Sequence, residues 1–374
     1  MRTIQQHIPG IIPDYMLERY AEHQEGSEIA RGTLEAMALL ANHRVRAEGA
    51  QQQIQPVRKR RSVYDAKNET RLPGRLIRSE HKPRSNDVIV NLAYDNTGLV
   101  YDFLYVTFGW SSFDGRGARI LVTVHFSFHY CNAEWDGHYL ILGDGDGKLF
   151  KPFPGAFDVT GHELGHAVIQ YKVGLGYSGQ TGALNEHIAD VIGSMADQWR
   201  LGQTVDQAKW TIGADLFYAM FQGIALRSMS DPGTAYDDPI LGKDPQPAHM
   251  RDYVETDQDN GGVHINSGIL NKSYHDSSMR IGGRSWEKTG QIWMAALDLI
   301  SPNADFKEFA QVTVEVAHQR FSRTEQEAVA AGWAGVGLPV SPSATARHFA
   351  IKPPRPALRA PNPVAKKWRG RPAV

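Results

Sequence analysis

At 374 residues, with 41% hydrophobic and 10% aromatic side chains, the chain is long enough to bury a large core in two lobes. The net charge of −1 hides an uneven spread: residues 63–340 carry 34 acidic against 23 basic side chains, which argues against nucleic-acid binding and suits a protein that holds cations. The single cysteine, Cys131, excludes an internal disulfide and a thiolate-cluster metal site, and no run approaches membrane-spanning length.

The N-terminus lacks the apolar stretch of a signal peptide. Synthesis in the cytoplasm is therefore expected, with any export by a non-classical route. Residues 1–61 read as a separate segment, with Ile11-Ile12-Pro13 leading into Tyr15–Tyr20 and a second amphipathic stretch over about 28–43. It ends in Arg58-Lys59-Arg60-Arg61, read either as a solvated linker or as a boundary where a protease separates a pro-segment from an enzyme.

Residues 62–157 look strand-like, through Val88-Ile89-Val90, Ile120–Val124 and the alternation of Phe126, Phe128 and Tyr130, with Gly-rich turns between. From 158 the period turns helical, over about 158–173, 183–199, 206–226, 264–273, 287–300 and 304–320. The Pro-rich basic tail, 341–374, reads as disordered. The expected fold is α+β: a β-rich lobe over 62–173 ending in a metal-binding helix, a mainly helical lobe over 174–340, and a cleft between them.

Residues 162–166 read His-Glu-Leu-Gly-His. Histidines at i and i+4 leave one face of a helix together and can grip a single metal ion, with Glu163 beside them as a base rather than a ligand. Two histidines leave zinc under-coordinated, and Glu186 is the obvious third ligand if 183–199 folds back as an antiparallel helix. Asp190 shares a face with Glu186 and could accept the second N–H of a ligand imidazole, fixing its tautomer. A metal with one open position activates water and polarises a carbonyl, Glu163 takes the proton, and a donor must meet the oxyanion. His264, five residues after Asp259 and following a Gly-Gly turn, is a candidate for that donor, although a lone histidine in such a place can be purely structural.

Taken together these motifs resemble the thermolysin family of neutral metallopeptidases over most of 62–335. The resemblance rests on Asn132-Ala133-Glu134-Trp135, Gly143–Gly147, His162–His166, Gly182–Glu186, Leu226–Pro232 and Gly261–Gly268. The short segment ahead of the body is similar to the protealysin-like branch. The resemblance implies a zinc endopeptidase made as a proenzyme, working as a monomer on peptide or protein substrates and restrained by its own propeptide. It implies His162, His166 and Glu186 as zinc ligands, Glu163 as general base, and Tyr177 and His264 as oxyanion donors, with Asp259 orienting His264 and Asp190 supporting a zinc ligand. Asn132, the Ala133 backbone and Arg227 would hold the peptide main chain. Phe150, Phe153, Val159, Ile212, Leu216 and Leu226 would form the pocket for a large hydrophobic residue after the scissile bond.

One departure concerns calcium. The family's paired calcium site would keep Asp158 and Asp197, but Lys209, Thr211 and Ala214 stand at its other three positions, so the site is expected to be lost or reduced to one weak ion. Two other readings, a small-amide or ester hydrolase and a non-catalytic binding protein, fit less well with Asn132 and Arg227 in the first case and with Glu163, Tyr177 and His264 in the second.

Overall fold

The computed structural model describes residues 10–23, 26–43 and 58–340. The expectations for 341–374, and for the stretch between the second N-terminal helix and Arg58, lie outside them. The N-terminal segment forms α1 (Asp14–Glu22) and α2 (Ser27–His43). α1 buries Met16, Leu17 and Tyr20 on one face. Its side chains join the main core, so the segment is packed onto the body.

The body opens with β1 (Arg61–Asp65) and β2 (Arg75–Ser79). β1 starts one residue before the boundary read from the sequence. Arg61 is buried, with its guanidinium on Glu80 at 2.7 Å and on the Tyr94 carbonyl at 2.8 Å, and Lys59 pairs with Asp102 at 2.6 Å. The end of the basic run is thus anchored in the body.

Val88-Ile89-Val90 is not a strand. It opens α3 (Val88–Phe108), because the Asp87 carboxylate accepts the Ile89 and Val90 N–H groups and caps a helix there. Tertiary burial overrides the β-branched preference: α3 packs on the sheet and on two later helices, and its apolar positions run nearly all round.

β3 (Ile120–Val124), β4 (Ala133–Trp135) and β5 (Leu140–Leu142) complete a five-stranded sheet in the order β2-β1-β3-β5-β4. β3 is parallel to β1 and β5, while β2 and β4 are antiparallel at the two edges. Phe126, Phe128 and Tyr130 do not share a strand face. His125, Ser127 and His129 take left-handed backbone angles, which buries Phe126 and Tyr130 and leaves Phe128 67% exposed.

Two long helices follow, α4 (Phe157–Lys172) and α5 (Gly179–Leu201). The expected helix over 206–226 is absent. That segment is extended and turning, with β6 (Thr211–Ile212) paired to β7 (Arg227–Ser228). Its apolar residues are buried by long-range contacts: Leu216 O accepts the Lys151 N–H and Tyr218 N–H donates to Leu149. β8 (Asp237–Asp238) and β9 (Gly242–Lys243) form a small hairpin. The helical lobe ends in α6 (Asp259–Ile281), α7 (Thr289–Ala296), α8 (Phe306–Arg320) and α9 (Arg323–Gly335). α9 lies beyond the last helix expected from the periodicity; Ser322 caps it and Trp333 anchors it in the core. A β-rich lobe followed by a mainly helical one is the architecture expected, with α4 at the junction.

Candidate metal centre and substrate cleft

α4 and α5 are antiparallel, since contacts descend α5 as they climb α4: Gly161 meets Gly193, Gly165 meets Ala189, and His162 faces Asp190. A β-carbon on Gly193 would lie 2.5 Å from the Asp158 carbonyl oxygen, so this approach requires glycine. The close pairing brings side chains of both helices to one point.

His162 Nδ1 lies 2.8 Å from Asp190 Oδ1, and His166 Nδ1 lies 2.9 Å from Asn185 Oδ1. Both partners are acceptors, so each ring carries its proton on Nδ1. The two Nε2 lone pairs then face each other at 3.0 Å. Glu186 adds Oε1 at 3.3 Å from His166 Nε2 and Oε2 at 3.5 Å from His162 Nε2, and Oε2 makes no hydrogen bond. Electron pairs gathered without a shared proton, in a fully buried place, are suited to a cation. His162, His166 and Glu186 form the one His/Cys/Asp/Glu group among the described residues positioned to hold a metal ion, and two nitrogens with one carboxylate match zinc.

The electrostatics agree with ligand chemistry. Burial lowers His162 to about 4, so the ring stays neutral as a ligand must. Burial works against a charge on Glu186, yet His264, His166 and His162 around it hold its carboxyl well below the usual range. Burial, with Glu186 and Glu134 nearby, pushes Glu163 well above that range. Both Glu163 oxygens are buried without a hydrogen bond of ordinary geometry. A dication beside it would lower that value and keep the carboxylate ionised, ready to accept a proton.

Tyr177 donates its hydroxyl to Glu186 Oε1 and stands 3.4 Å from His264 Nε2, which is itself 3.4 Å from Glu186 Oε2. Four successive residues, Asp259 to Gly262, take left-handed backbone angles just before the helical part of α6. This turn lets the Asp259 carboxylate accept from the His264 backbone N–H at 2.8 Å and meet its Nδ1 at 2.6 Å. Burial opposes a charge on His264, but Glu186 and Asp259 raise it to about 9.

The N-terminal segment lies along the edge strand β4. Ile11 N–H donates to the Ala133 carbonyl at 2.9 Å. The Asn132 amide accepts from Ile12 N–H at 2.9 Å and donates to the Ile12 carbonyl at 3.0 Å. Arg227 holds Asp190 with two nitrogens, at 2.7 and 2.9 Å, and reaches the Ile11 carbonyl at 3.4 Å. Asn132, Ala133 and Arg227 therefore all contact one extended peptide. The contact is one backbone hydrogen bond to the edge strand together with side-chain bonds to the Ile11 and Ile12 peptides. Tyr20 donates to Asp146 and sets its ring 6.1 Å from that of Phe150, and Met16 contacts Tyr236.

Phe150, Phe153, Val159, Ile212, Leu216 and Leu226 are all buried in the main core. Phe150 and Phe153 stack at 6.1 Å, and Leu226 borders the cleft beside Pro13 and Met16. At the expected calcium positions, Asp158 accepts the Gly213 N–H at 2.7 Å and Asp197 accepts from Arg200 Nε at 3.0 Å. Burial, then the neighbouring Asp197, raises Asp158 to about 7.

Residues 42–170 match the thermolysin metallopeptidase catalytic domain, and 173–338 match the thermolysin metallopeptidase alpha-helical domain. The chain belongs to the thermolysin metallopeptidase family. This metallopeptidase is 44% identical over 338 residues to an extracellular metalloprotease of Pectobacterium carotovorum subsp. carotovorum, covering 89% of this chain and 97% of that protein. It is 45% identical over 285 residues to protease PrtS of Photorhabdus sp. (strain Az29), covering 75% and 76% of the two. Among solved structures it is similar to the precursor of protealysin, a metalloproteinase from Serratia proteamaculans, with a TM-score of 0.82 and 42% identity over 88% of this chain and all of that one. No helix among the described residues of the metallopeptidase is long and apolar enough to cross a membrane.

Sequence reasoning passed over Asn185, which holds His166. Its place next to Glu186, on the helix turn that faces the metal helix, was the available signal. It also passed over His187, Asn271 and Trp293, which lie on three different helices and carry no local motif.

Proposed function

We propose that this metallopeptidase is a zinc endopeptidase precursor whose N-terminal segment, residues 1–61 to within several residues, restrains its own cleft. The observation that carries the reading is the set of unprotonated donors of His162, His166 and Glu186 beside the buried Glu163 carboxylate, with a peptide already lying along Asn132, Ala133 and Arg227.

His162, His166 and Glu186 would hold zinc, which would supply Lewis acidity toward water and the scissile carbonyl. Glu163 takes the proton from the attacking water and passes it to the leaving amine. Tyr177 and protonated His264, with Asp259 fixing the ring, donate to the oxyanion as charge develops. Asn132, the Ala133 carbonyl and Arg227 register the substrate main chain, as they register Ile11 and Ile12 here. The apolar set from Phe150 to Leu226 favours a large hydrophobic residue after the scissile bond.

The paired calcium site is taken, on the same grounds, as lost or reduced to one weak ion. The Arg200 guanidinium meets Asp197, Lys209 lies within electrostatic reach of that carboxylate, and Asp158 is committed to Gly213. The N-terminal segment then acts as a tethered occupant: Ile11, Ile12, Met16, Leu17 and Tyr20 are each almost fully buried, at about 1.5–3 kcal/mol per large side chain.

Digestion of a mixed peptide library by the processed protein, with and without a zinc chelator, tests the reading. Cleavage before Leu, Phe or Ile that the chelator stops is the expected outcome. Cleavage indifferent to the chelator would overturn it.

A further inference from the structure

A chain of buried polar side chains runs from the core of the helical lobe to a metal ligand. The Trp293 indole N–H on α7 meets His187 Nε2 on α5 at 2.9 Å. His187 Nδ1 meets Asn271 Oδ1 on α6 at 2.8 Å, and Asn271 Nδ2 meets Asp190 Oδ2 at 2.8 Å. Asp190 Oδ1 then meets His162 Nδ1 at 2.8 Å. All five residues have no measurable exposure.

The polarity of this chain follows from one group. An indole N–H only donates, so His187 Nε2 must offer a lone pair and its proton sits on Nδ1. That proton requires an acceptor, which turns the Asn271 oxygen toward His187 and its NH2 toward Asp190. Asp190 Oδ2 thereby receives Asn271 Nδ2 and Arg227 Nε, while Oδ1 receives Arg227 Nη2 and His162 Nδ1. Four donors saturate the carboxylate and hold its plane. His162 is left with its proton on Nδ1 and its Nε2 lone pair toward Glu186 and His166.

We propose that Trp293, His187 and Asn271 are positioning residues that fix the Asp190 carboxylate, and through it the tautomer and direction of His162 as a zinc ligand. The proposal rests on the zinc reading above. A cluster serving only to fill the core would be served as well by apolar side chains of similar shape, without desolvating an imidazole and an amide. This chain instead ends on the one carboxylate that touches both a metal ligand and the peptide-binding Arg227.

The test measures the zinc dissociation constant of the full chain by chelator competition, with melting curves alongside, for Asn271→Leu, Trp293→Phe, His187→Phe and the Asn271→Leu/Trp293→Phe double variant. The wild type is expected to bind one zinc. Asn271→Leu should weaken binding about tenfold, and the two Phe variants, which keep an aromatic ring at each place, somewhat less. The double variant should be no weaker than Asn271→Leu alone, because the links act in series. Folded variants with wild-type zinc affinity, or losses that multiply in the double, would overturn the inference and leave the zinc reading standing. A wild type that binds no zinc would overturn both.

Discussion

The Asn132 side-chain amide grips the Ile12 peptide at both ends, accepting its N–H at 2.9 Å and donating to its carbonyl at 3.0 Å. A main chain held this way is read by its backbone, so the position selects for an extended peptide rather than for a side chain. The N-terminal segment occupies it in the chain as folded, and the buried Ile12 side chain helps keep it there. Ile12→Ala removes apolar contacts worth about 2–4 kcal/mol and should shorten the lag before peptide hydrolysis by the full chain. The processed enzyme should be unaffected, because Ile12 is no longer present. An unchanged lag would show that docking through Ile12 does not limit activation.

The basic run gives a second expectation. Lys59 pairs with Asp102, and Arg61 sits on Glu80 and under the Tyr94 ring at 3.7 Å. A cut after Arg61 would separate these residues from the strand and helix they brace. N-terminal sequencing of the processed form should therefore find a start upstream of Arg58. A start at Ser62 would contradict this.

His125 links the cap of α3 to the Gly-rich turn, with Nδ1 2.7 Å from Asp144 and Nε2 2.8 Å from Asp87. The bond to Asp144, helped by Asp87 and opposed by burial, raises it to about 9. An unfolded histidine titrates near ~6.5, so this link stabilises the fold fully below that pH and its contribution is lost as pH rises through about 9. His125→Gln should lower the melting temperature by several degrees at pH 6 and by much less at pH 9.5. Equal penalties at both would remove the charge from the explanation.

With Arg200 on Asp197 and Gly213 on Asp158, a calcium chelator that leaves zinc in place should not shift the melting temperature. Tightly bound calcium found by mass measurement, or a clear loss of heat stability on its removal, would mean that the two aspartates still hold an ion.

Much of the metal centre was legible because its chemistry is local. His162, Glu163 and His166 lie within one helical turn and a half, and Glu186 and Asp190 repeat the i, i+4 spacing on the next helix. The docking of the N-terminal segment was legible in kind but not in register, which depends on the free edge of β4. Two errors have one cause. Val88-Ile89-Val90 and the 206–226 stretch were read from side-chain preference, whereas Asp87 caps the first into a helix and pairing with Lys151 and Leu149 pulls the second out of one. The network through His187, Asn271 and Trp293 spans more than a hundred residues of sequence, and no spacing rule reaches that far.

If Glu163 moves the proton at a zinc centre built by His162, His166 and Glu186, removing its charge should stop hydrolysis without releasing the metal. Peptide hydrolysis by Glu163→Gln, measured beside its zinc content, tests it most directly. The variant should keep one zinc per chain, as in the wild type, with hydrolysis reduced by at least about a hundredfold. Zinc retained together with hydrolysis at the wild-type rate would contradict it.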